Sequence, residues 1–127
     1  DYARPPAEHL AVGRQLRALR DDGVLIVASG NIVHNLRAMQ RQAGDHQAYD
    51  WAVDFDRHIA GRIAMGDADG LVDFQAQGDL ARLSQPTWEH YLPLLYAVGA
   101  AEDNEPVRFF NEGFQAASIS MRSVVWG

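Results

Sequence analysis

The first hydrophobic pattern along the chain is helical and spans residues 7–21. Leu10, Leu16 and Leu19 recur at roughly helical spacing, and arginines occupy the later turns. Cations are favoured there because the carboxyl end of a helix carries partial negative charge. Gly23 follows, so the pattern predicts an amphipathic helix that ends shortly before it.

The next segment, residues 24–29, is apolar without interruption and reads Val-Leu-Ile-Val-Ala-Ser between two glycines. Such a run is typical of a strand buried on both faces, and these strands belong to parallel or mixed sheets covered by helices. Helix, short glycine turn and buried strand make half of a βαβ unit. We therefore expect an α/β fold.

The remaining pattern is mostly helical and ends in strands. We expect helices over residues 36–42, 49–65 and 86–101, and strands over 106–111 and 117–126 that close as a β-hairpin. Three strands are few for this much helix. The predicted fold is thus a mixed, largely parallel sheet covered by helices, with a C-terminal β-hairpin, and the chain is expected to be the C-terminal portion of a larger single domain.

The composition fits one domain and limits the classes of binding partner. The 127 residues are 47% hydrophobic and 22% charged, and the net charge is −6 without a block of like charges. This balance argues against nucleic acid or an anionic membrane as the main partner. No apolar run approaches the roughly 18 residues of a membrane span. Cysteine is absent, which fits a cytoplasmic protein, and residues 1–6 resemble neither a signal nor a transit peptide.

Residues 85–95 place a histidine between two prolines. Pro86 suits the first turn of a helix, whereas Pro93 would interrupt its interior at a cost of about 3 kcal/mol or more. The interruption would free the carbonyl of Glu89 beside His90. A helix-breaking proline close to an ionisable side chain is typical of a functional site. The alternative is that His90 is a buried structural histidine on a kinked helix.

A second histidine follows the predicted strand. His34 comes after a Ser-Gly-Asn turn, at the carboxyl end of a strand, where ligands bind in open α/β sheets. A structural histidine at a helix start is the alternative. We expect His9, His46 and His58 on the surface. No group of three ligands at matching spacing is visible, so composition and spacing alone do not complete a metal site.

Several segments resemble the class III extradiol ring-cleavage dioxygenases, and more narrowly their 4,5-DOPA-dioxygenase-like branch. Residues 24–36 and 86–95 resemble two signatures of that family, and residues 6–10 and 118–123 fit its pattern as well. The similarity covers essentially the whole chain in the right order. It implies that residues 1–127 are the C-terminal part of the catalytic domain of a longer enzyme.

The resemblance also implies residue roles. His90 matches a metal ligand whose two partner histidines lie outside this chain, and His34 matches the acid/base that acts on the catechol. Asn31 and Gln85 match the substrate pocket. The implied metal is Fe(II), with Zn(II) as a redox-silent alternative, and the implied substrates are a catechol and O2. The family usually has His-Pro where this chain has Gln85 followed by proline, and glutamine cannot carry a proton.

Two other functions stay open. The chain could be a non-catalytic ligand-binding or subunit-interaction module, which the glutamine at position 85 favours, or a metal-dependent hydrolase that uses Glu89 as a ligand. With one ligand imidazole the isolated chain should bind metal weakly at best. Open strand edges and apolar faces should also make it self-associate.

Overall fold

The computed structural model describes residues 3–44 and 46–127. Asp1, Tyr2 and Asp45, for which we expected extended chain and a loop, lie outside the described residues. The helices are α1 Pro6–Leu16, α2 Asp50–Ala64, α3 Ala68–Val72, α4 Asp79–Ser84 and α5 Leu92–Ala100, with 3₁₀ turns at Arg17–Arg20, Leu36–Ala38 and Phe74–Gln77. The strands are β1 Val107–Phe110, β2 Phe114–Gln115, β3 Ile119–Ser120 and β4 Ser123–Trp126. Within these ranges no helix is long and apolar enough to cross a membrane.

Helices α1 and α5 approach each other through glycines. A Cβ atom on Gly13 would lie 2.4 Å from the carbonyl oxygen of Tyr96, and one on Gly99 would lie 2.4 Å from that of Leu10. The close approach covers His9, which is only 4% exposed and places Nδ1 2.9 Å from the hydroxyl of Tyr96. The predicted surface position of His9 is therefore wrong.

Helix α2 confirms the long amphipathic helix predicted at 49–65. Its apolar face carries Phe55, Ile59 and Ile63 into the core, where they are 0–3% exposed. Tyr91 is fully buried beside them, and its hydroxyl donates to the carbonyl oxygen of Leu71 at 2.8 Å. The core thus joins α2 to the segment that carries the second histidine motif.

The predicted C-terminal hairpin forms, with a second hairpin inside its loop. Strand β1 pairs antiparallel with β4, and β2 pairs antiparallel with β3. Ala116 and Ala117 join β2 to β3 with φ of 51° and 64°, in the left-handed region that side chains with a Cβ disfavour. Their carbonyl oxygens accept from the amides of Gln40 at 2.9 Å and Tyr49 at 3.1 Å.

The predicted parallel sheet is not found in the part of the chain that the structure describes, where all strand pairs are antiparallel. Residues 24–29, predicted as a buried strand, are neither paired nor buried. Leu25 is 82% exposed and Val27 78% exposed. The segment nevertheless runs without helix or turn. The reason is that no backbone group among the described residues hydrogen-bonds to residues 25–29.

The predicted helix 86–101 is divided. Residues 85–91 form turns between α4 and α5, and Pro93 lies in the first turn of α5, where a missing N–H costs little. His90 therefore lies in a turn, and the prediction that it lies on a kinked helix is wrong. The helix predicted at 36–42 is likewise reduced to the 3₁₀ turn Leu36–Ala38, which the side chain of Asn35 caps.

Candidate functional site

The structure brings together the two histidines that the sequence singled out. The rings of His34 and His90 stack with centroids 3.6 Å apart and planes inclined by 22°. Both side chains are partly buried. Two imidazoles in contact can act on the same bound molecule.

His34 is held by backbone bonds on both sides. Its amide donates to the carbonyl oxygen of Ser84 at 2.8 Å, at the end of α4. It also forms an isolated antiparallel bridge with Ile119, and the amide of Ser120 donates to the carbonyl oxygen of Val33 at 3.0 Å. The loop that carries His34 is therefore fixed between α4 and β3.

His90 is fixed to the same loop by a close approach of the backbone. The amide of Asn31 donates to the carbonyl oxygen of His90 at 2.9 Å. A Cβ atom on Gly30 would lie 2.1 Å from that oxygen, closer than any side chain tolerates. Glycine at position 30 is thus what allows the two histidine-bearing segments to meet.

The two residues expected in the substrate pocket are both engaged with backbone. Asn31 donates through Nδ2 to the carbonyl oxygen of Ser120 at 2.8 Å. Gln85 is 2% exposed and donates through Nε2 to the carbonyl oxygens of Asn31 at 2.7 Å and Ile32 at 2.8 Å. Its Oε1 has no partner among the described residues. The side chain of Gln85 therefore holds the loop that carries His34 through these two bonds.

A buried carboxylate on α2, which the sequence analysis did not single out, supports this loop. Asp56 is 2% exposed, accepts from the Ser120 hydroxyl at 2.5 Å, and accepts from Nε and Nη2 of Arg122 at 2.9 and 2.7 Å. The signal that was missed is spacing, because position 56 lies four residues after Ala52 and three before Ile59, on the buried face of α2. Burial alone would lower the pKa of Arg122, but its bonds to Asp56 outweigh burial and raise it.

Burial and hydrogen bonds shift the pKa values of two groups at the site. Burial lowers the pKa of His34, and the neighbouring His90 lowers it further. Glu89 has a lowered pKa because its own backbone amide and the Thr87 hydroxyl donate to it; the hydroxyl contact is 2.8 Å. These shifts favour the neutral form of the His34 imidazole, which can accept a proton, and the charged form of Glu89.

The metal-binding capacity of these residues is incomplete. Within residues 3–44 and 46–127, no group of three or more His, Cys, Asp or Glu side chains could hold a metal ion. A mononuclear catalytic site needs about three protein ligands and an open position. A neutral imidazole suits Fe(II) or Zn(II), so the described residues fit part of such a site and do not form a whole one.

His90 lines a surface groove of about 540 Å³. The groove is also lined by the exposed segment 24–29, by β4 and by residues of α5. Asn31 and His90 line the same groove. A ligand in this groove would therefore reach His90, whose ring stacks on that of His34.

Comparison with known proteins gives a consistent family match. A family model described as the catalytic LigB subunit of aromatic ring-opening dioxygenase matches residues 2–126. The chain is 42% identical over 130 residues to a 4,5-DOPA dioxygenase extradiol of Escherichia coli (strain K12). The matched region covers 100% of this chain and 47% of that protein. A protein of the same name from Beta vulgaris is 28% identical over 115 residues, covering 91% of this chain and 42% of its own length.

The fold has a solved counterpart. A crystal structure of an uncharacterized protein from Escherichia coli K12 superposes with a TM-score of 0.85 at 41% identity, covering 98% of this chain and 51% of that one. The chain therefore spans about half the length of the relatives that it matches.

Proposed function

Because the chain belongs to the family of catalytic LigB subunits of aromatic ring-opening dioxygenases, we propose that residues 1–127 are the C-terminal part of an extradiol dioxygenase catalytic domain. The whole site would insert both atoms of O2 beside the paired hydroxyls of a catechol-type substrate. The observation that carries this proposal is the stacking of His34 on His90, whose side chain lines an open groove.

We assign the acid/base role to His34. Burial and the neighbouring His90 lower its pKa, which favours the neutral imidazole, the form that can accept a phenolic proton and later return it. Bonds from its own amide and to its neighbour Val33 hold the backbone that carries the ring in place. Such positioning keeps a proton acceptor within reach of a substrate hydroxyl.

We assign the metal-ligand role to His90, with Fe(II) as the metal and Zn(II) as the alternative. When bound, the metal would supply the Lewis acidity that lowers the proton affinity of the catechol oxygens. The incomplete set of ligands in the described residues requires that the others come from polypeptide outside them. The fixed carbonyl of His90, held by Asn31, limits the positions that its ring can adopt.

Asn31 and Gln85 receive different roles. The Nδ2 group of Asn31 is used by Ser120, so its Oδ1 atom is the group that would accept from a substrate hydroxyl in the groove. Gln85 lies beneath the groove surface with its amide nitrogen occupied. We propose that it positions Asn31, in place of the direct substrate contact expected from the resemblance.

A non-catalytic binding module is the second candidate. The specific observation in its favour is that the described residues contain no three-ligand group. The two functions differ in what happens after a catechol binds: the enzyme consumes O2 and opens the ring, and the module does neither.

The test uses the natural polypeptide that contains residues 1–127, loaded anaerobically with Fe(II) and then exposed to a panel of catechols and air. We expect one O2 consumed per yellow ring-cleaved product. His34→Gln should lower kcat by about 10²–10⁴-fold with the iron content unchanged, whereas His90→Gln should lose iron. His58→Gln, on α2, is the matched control. Stoichiometric iron with no product from every catechol would favour the module.

A further inference from the structure

Strand β3 holds the loop that carries His34. The carbonyl oxygen of Ser120 accepts from Nδ2 of Asn31 at 2.8 Å, and the amide of Ser120 donates to the carbonyl oxygen of Val33 at 3.0 Å. His34 itself forms an isolated bridge with Ile119. The position of β3 therefore sets the position of the loop.

Ser120 connects this loop to a buried ion pair. It is 1% exposed, and its backbone amide and carbonyl oxygen are both used by the loop. Its hydroxyl donates to Oδ1 of Asp56 at 2.5 Å and accepts from the amide of Arg122 at 3.3 Å. A movement of the Asp56 carboxylate would therefore be passed through one residue to the loop.

The carboxylate of Asp56 is itself held from the other side. Its Oδ1 atom serves Ser120, whereas its Oδ2 atom accepts from Nε and Nη2 of Arg122 at 2.9 and 2.7 Å. The guanidinium of Arg122 also contacts the carboxylate of Glu112 and lies 5.2 Å from the ring centroid of Phe109. With two of its donors on one oxygen, Arg122 leaves the carboxylate of Asp56 little freedom to turn.

Stability alone does not account for this ion pair. Asp56 is 2% exposed and the side chain of Arg122 is 12% exposed. Two charges removed from water cost free energy, and apolar side chains of similar volume often give the same stability or more. What charged hydrogen bonds supply in addition is a fixed direction. The pair is therefore placed to fix geometry at Ser120.

We propose that Asp56 is a positioning residue for the reaction: through Ser120 it fixes the side-chain amide of Asn31 and the backbone that carries His34. The inference rests on the proposed function, which gives both of those residues roles at the substrate. Asp56 does not line the groove that Asn31 and His90 line. It acts through Ser120 and not on the substrate.

The chemical consequence concerns the amide of Asn31. While Ser120 binds Nδ2, the atom left for a substrate hydroxyl is Oδ1, which accepts hydrogen bonds. If the contact with Ser120 loosens, the amide can rotate and present its NH2 group, which only donates. Asp56 thus decides whether position 31 offers an acceptor or a donor to the substrate.

The kinetic test uses the natural polypeptide that contains residues 1–127, loaded with Fe(II), and a catechol that the parent opens. In Asp56→Asn we expect kcat/KM to fall about tenfold or more with the iron content unchanged, because misplacement of reacting groups is costly. Ser120→Ala, which removes only the hydroxyl, should cause a similar loss. The double variant should be no worse than the weaker single variant, since both changes break one connection. Asp54→Asn is the matched control, because its side chain is 57% exposed on the same helix.

A spectroscopic readout needs neither metal nor substrate, so failure of positioning and failure of ring cleavage are separate results. The NMR signals of the Asn31 side-chain NH2 group should move toward those of a solvent-exposed amide in Asp56→Asn and in Ser120→Ala. They should stay unchanged in Asp54→Asn. A role in stability alone would lower the urea midpoint of Asp56→Asn and leave these signals of the folded protein in place.

Two further variants keep the proposal testable if Asp56→Asn does not fold. Ser120→Ala leaves the ion pair intact, and Arg122→Lys keeps the charge but loses the planar group that donates twice to Asp56. Folded variants with the parental kcat, KM and Asn31 signals would overturn the proposal. Losses in Asp56→Asn and Ser120→Ala that simply add in the double variant would also overturn it, because Asp56 would then act by a route other than Ser120.

Discussion

The imidazole of His34 rests face to face on that of His90, although 55 residues separate them in the chain. The contact depends on the backbone approach at Gly30, where a Cβ atom would meet the carbonyl oxygen of His90 at 2.1 Å. Gly30, which has no side chain, thus allows the two histidine-bearing segments to meet.

The first prediction concerns that approach. In Gly30→Ala the loop must move away from His90, because the new methyl group and the carbonyl oxygen cannot occupy the same space. We expect loss of NMR contacts between the His34 and His90 ring protons, with the fold retained because position 30 is exposed. Gly44→Ala, where the nearest atom is 4.0 Å away, is the control. Unchanged ring contacts in Gly30→Ala would contradict the assignment.

The second prediction concerns Gln85. Gln85→Leu removes the only side-chain donor to the carbonyl oxygens of Asn31 and Ile32 in the described chain. Leaving buried acceptors unpaired should lower the free energy of unfolding by about 2 kcal/mol or more. Urea denaturation measures this, with the exposed Gln75→Leu as control. Equal midpoints for the two variants would show that Gln85 does not anchor the loop.

The local pattern of hydrophobic and polar residues was sufficient to predict those elements that pack against other parts of this chain. Helix α2 has apolar residues at helical spacing that face the core, and it forms as predicted. The hairpin of β1 and β4 also forms as predicted, because both of its strands lie within the described residues. The histidines could be selected because each lies beside a break in local pattern, at Gly30 and at Pro93.

The errors share a different origin. Residues 24–29 have the composition of a buried strand, but their cover is not within the described residues, and composition does not say where a partner is. His9 is covered because Gly13 and Gly99 bring two helices together, a contact between distant positions. Such long-range contacts leave no periodic signal in one sequence.

The third prediction uses two glycines with opposite surroundings. A Cβ atom on Gly99 would lie 2.4 Å from the carbonyl oxygen of Leu10, whereas one on Gly61 would meet nothing within 4 Å. Gly99→Ala should separate α1 from α5 and lower the unfolding free energy by about 1–3 kcal/mol. Gly61→Ala, within α2, should raise it by roughly 0.5–1 kcal/mol. Shifts of the same sign would contradict the proposed packing.

The fourth prediction concerns pH. Arg20 donates to Glu105, with one contact at 2.7 Å, and this bond lowers the pKa of the Glu105 carboxyl below its usual 4.5. The charged form is favoured in the folded state, so the stabilisation is fully present above pH 4.5 and is lost as the pH falls through the lowered value. Glu105→Gln should cost about 1 kcal/mol near neutral pH.

The measurement is the difference in unfolding free energy between the parent and Glu105→Gln across pH 3–7. The difference should shrink toward acid. Glu8→Gln is the control, since its pair with Arg4 is largely exposed and contributes at most a few tenths of a kcal/mol. A Glu105 difference that is constant with pH would mean that the ion pair does not form.

The two left-handed alanines between β2 and β3 bear on the order in which the chain folds. Each such residue costs about 1–2 kcal/mol, so the turn at Ala116 and Ala117 is a poor starting point for a hairpin. Its carbonyl oxygens are held by Gln40 and Tyr49, which are about seventy residues away. We expect the tip of this hairpin to close only after those distant segments have arrived, which makes it a late event of folding.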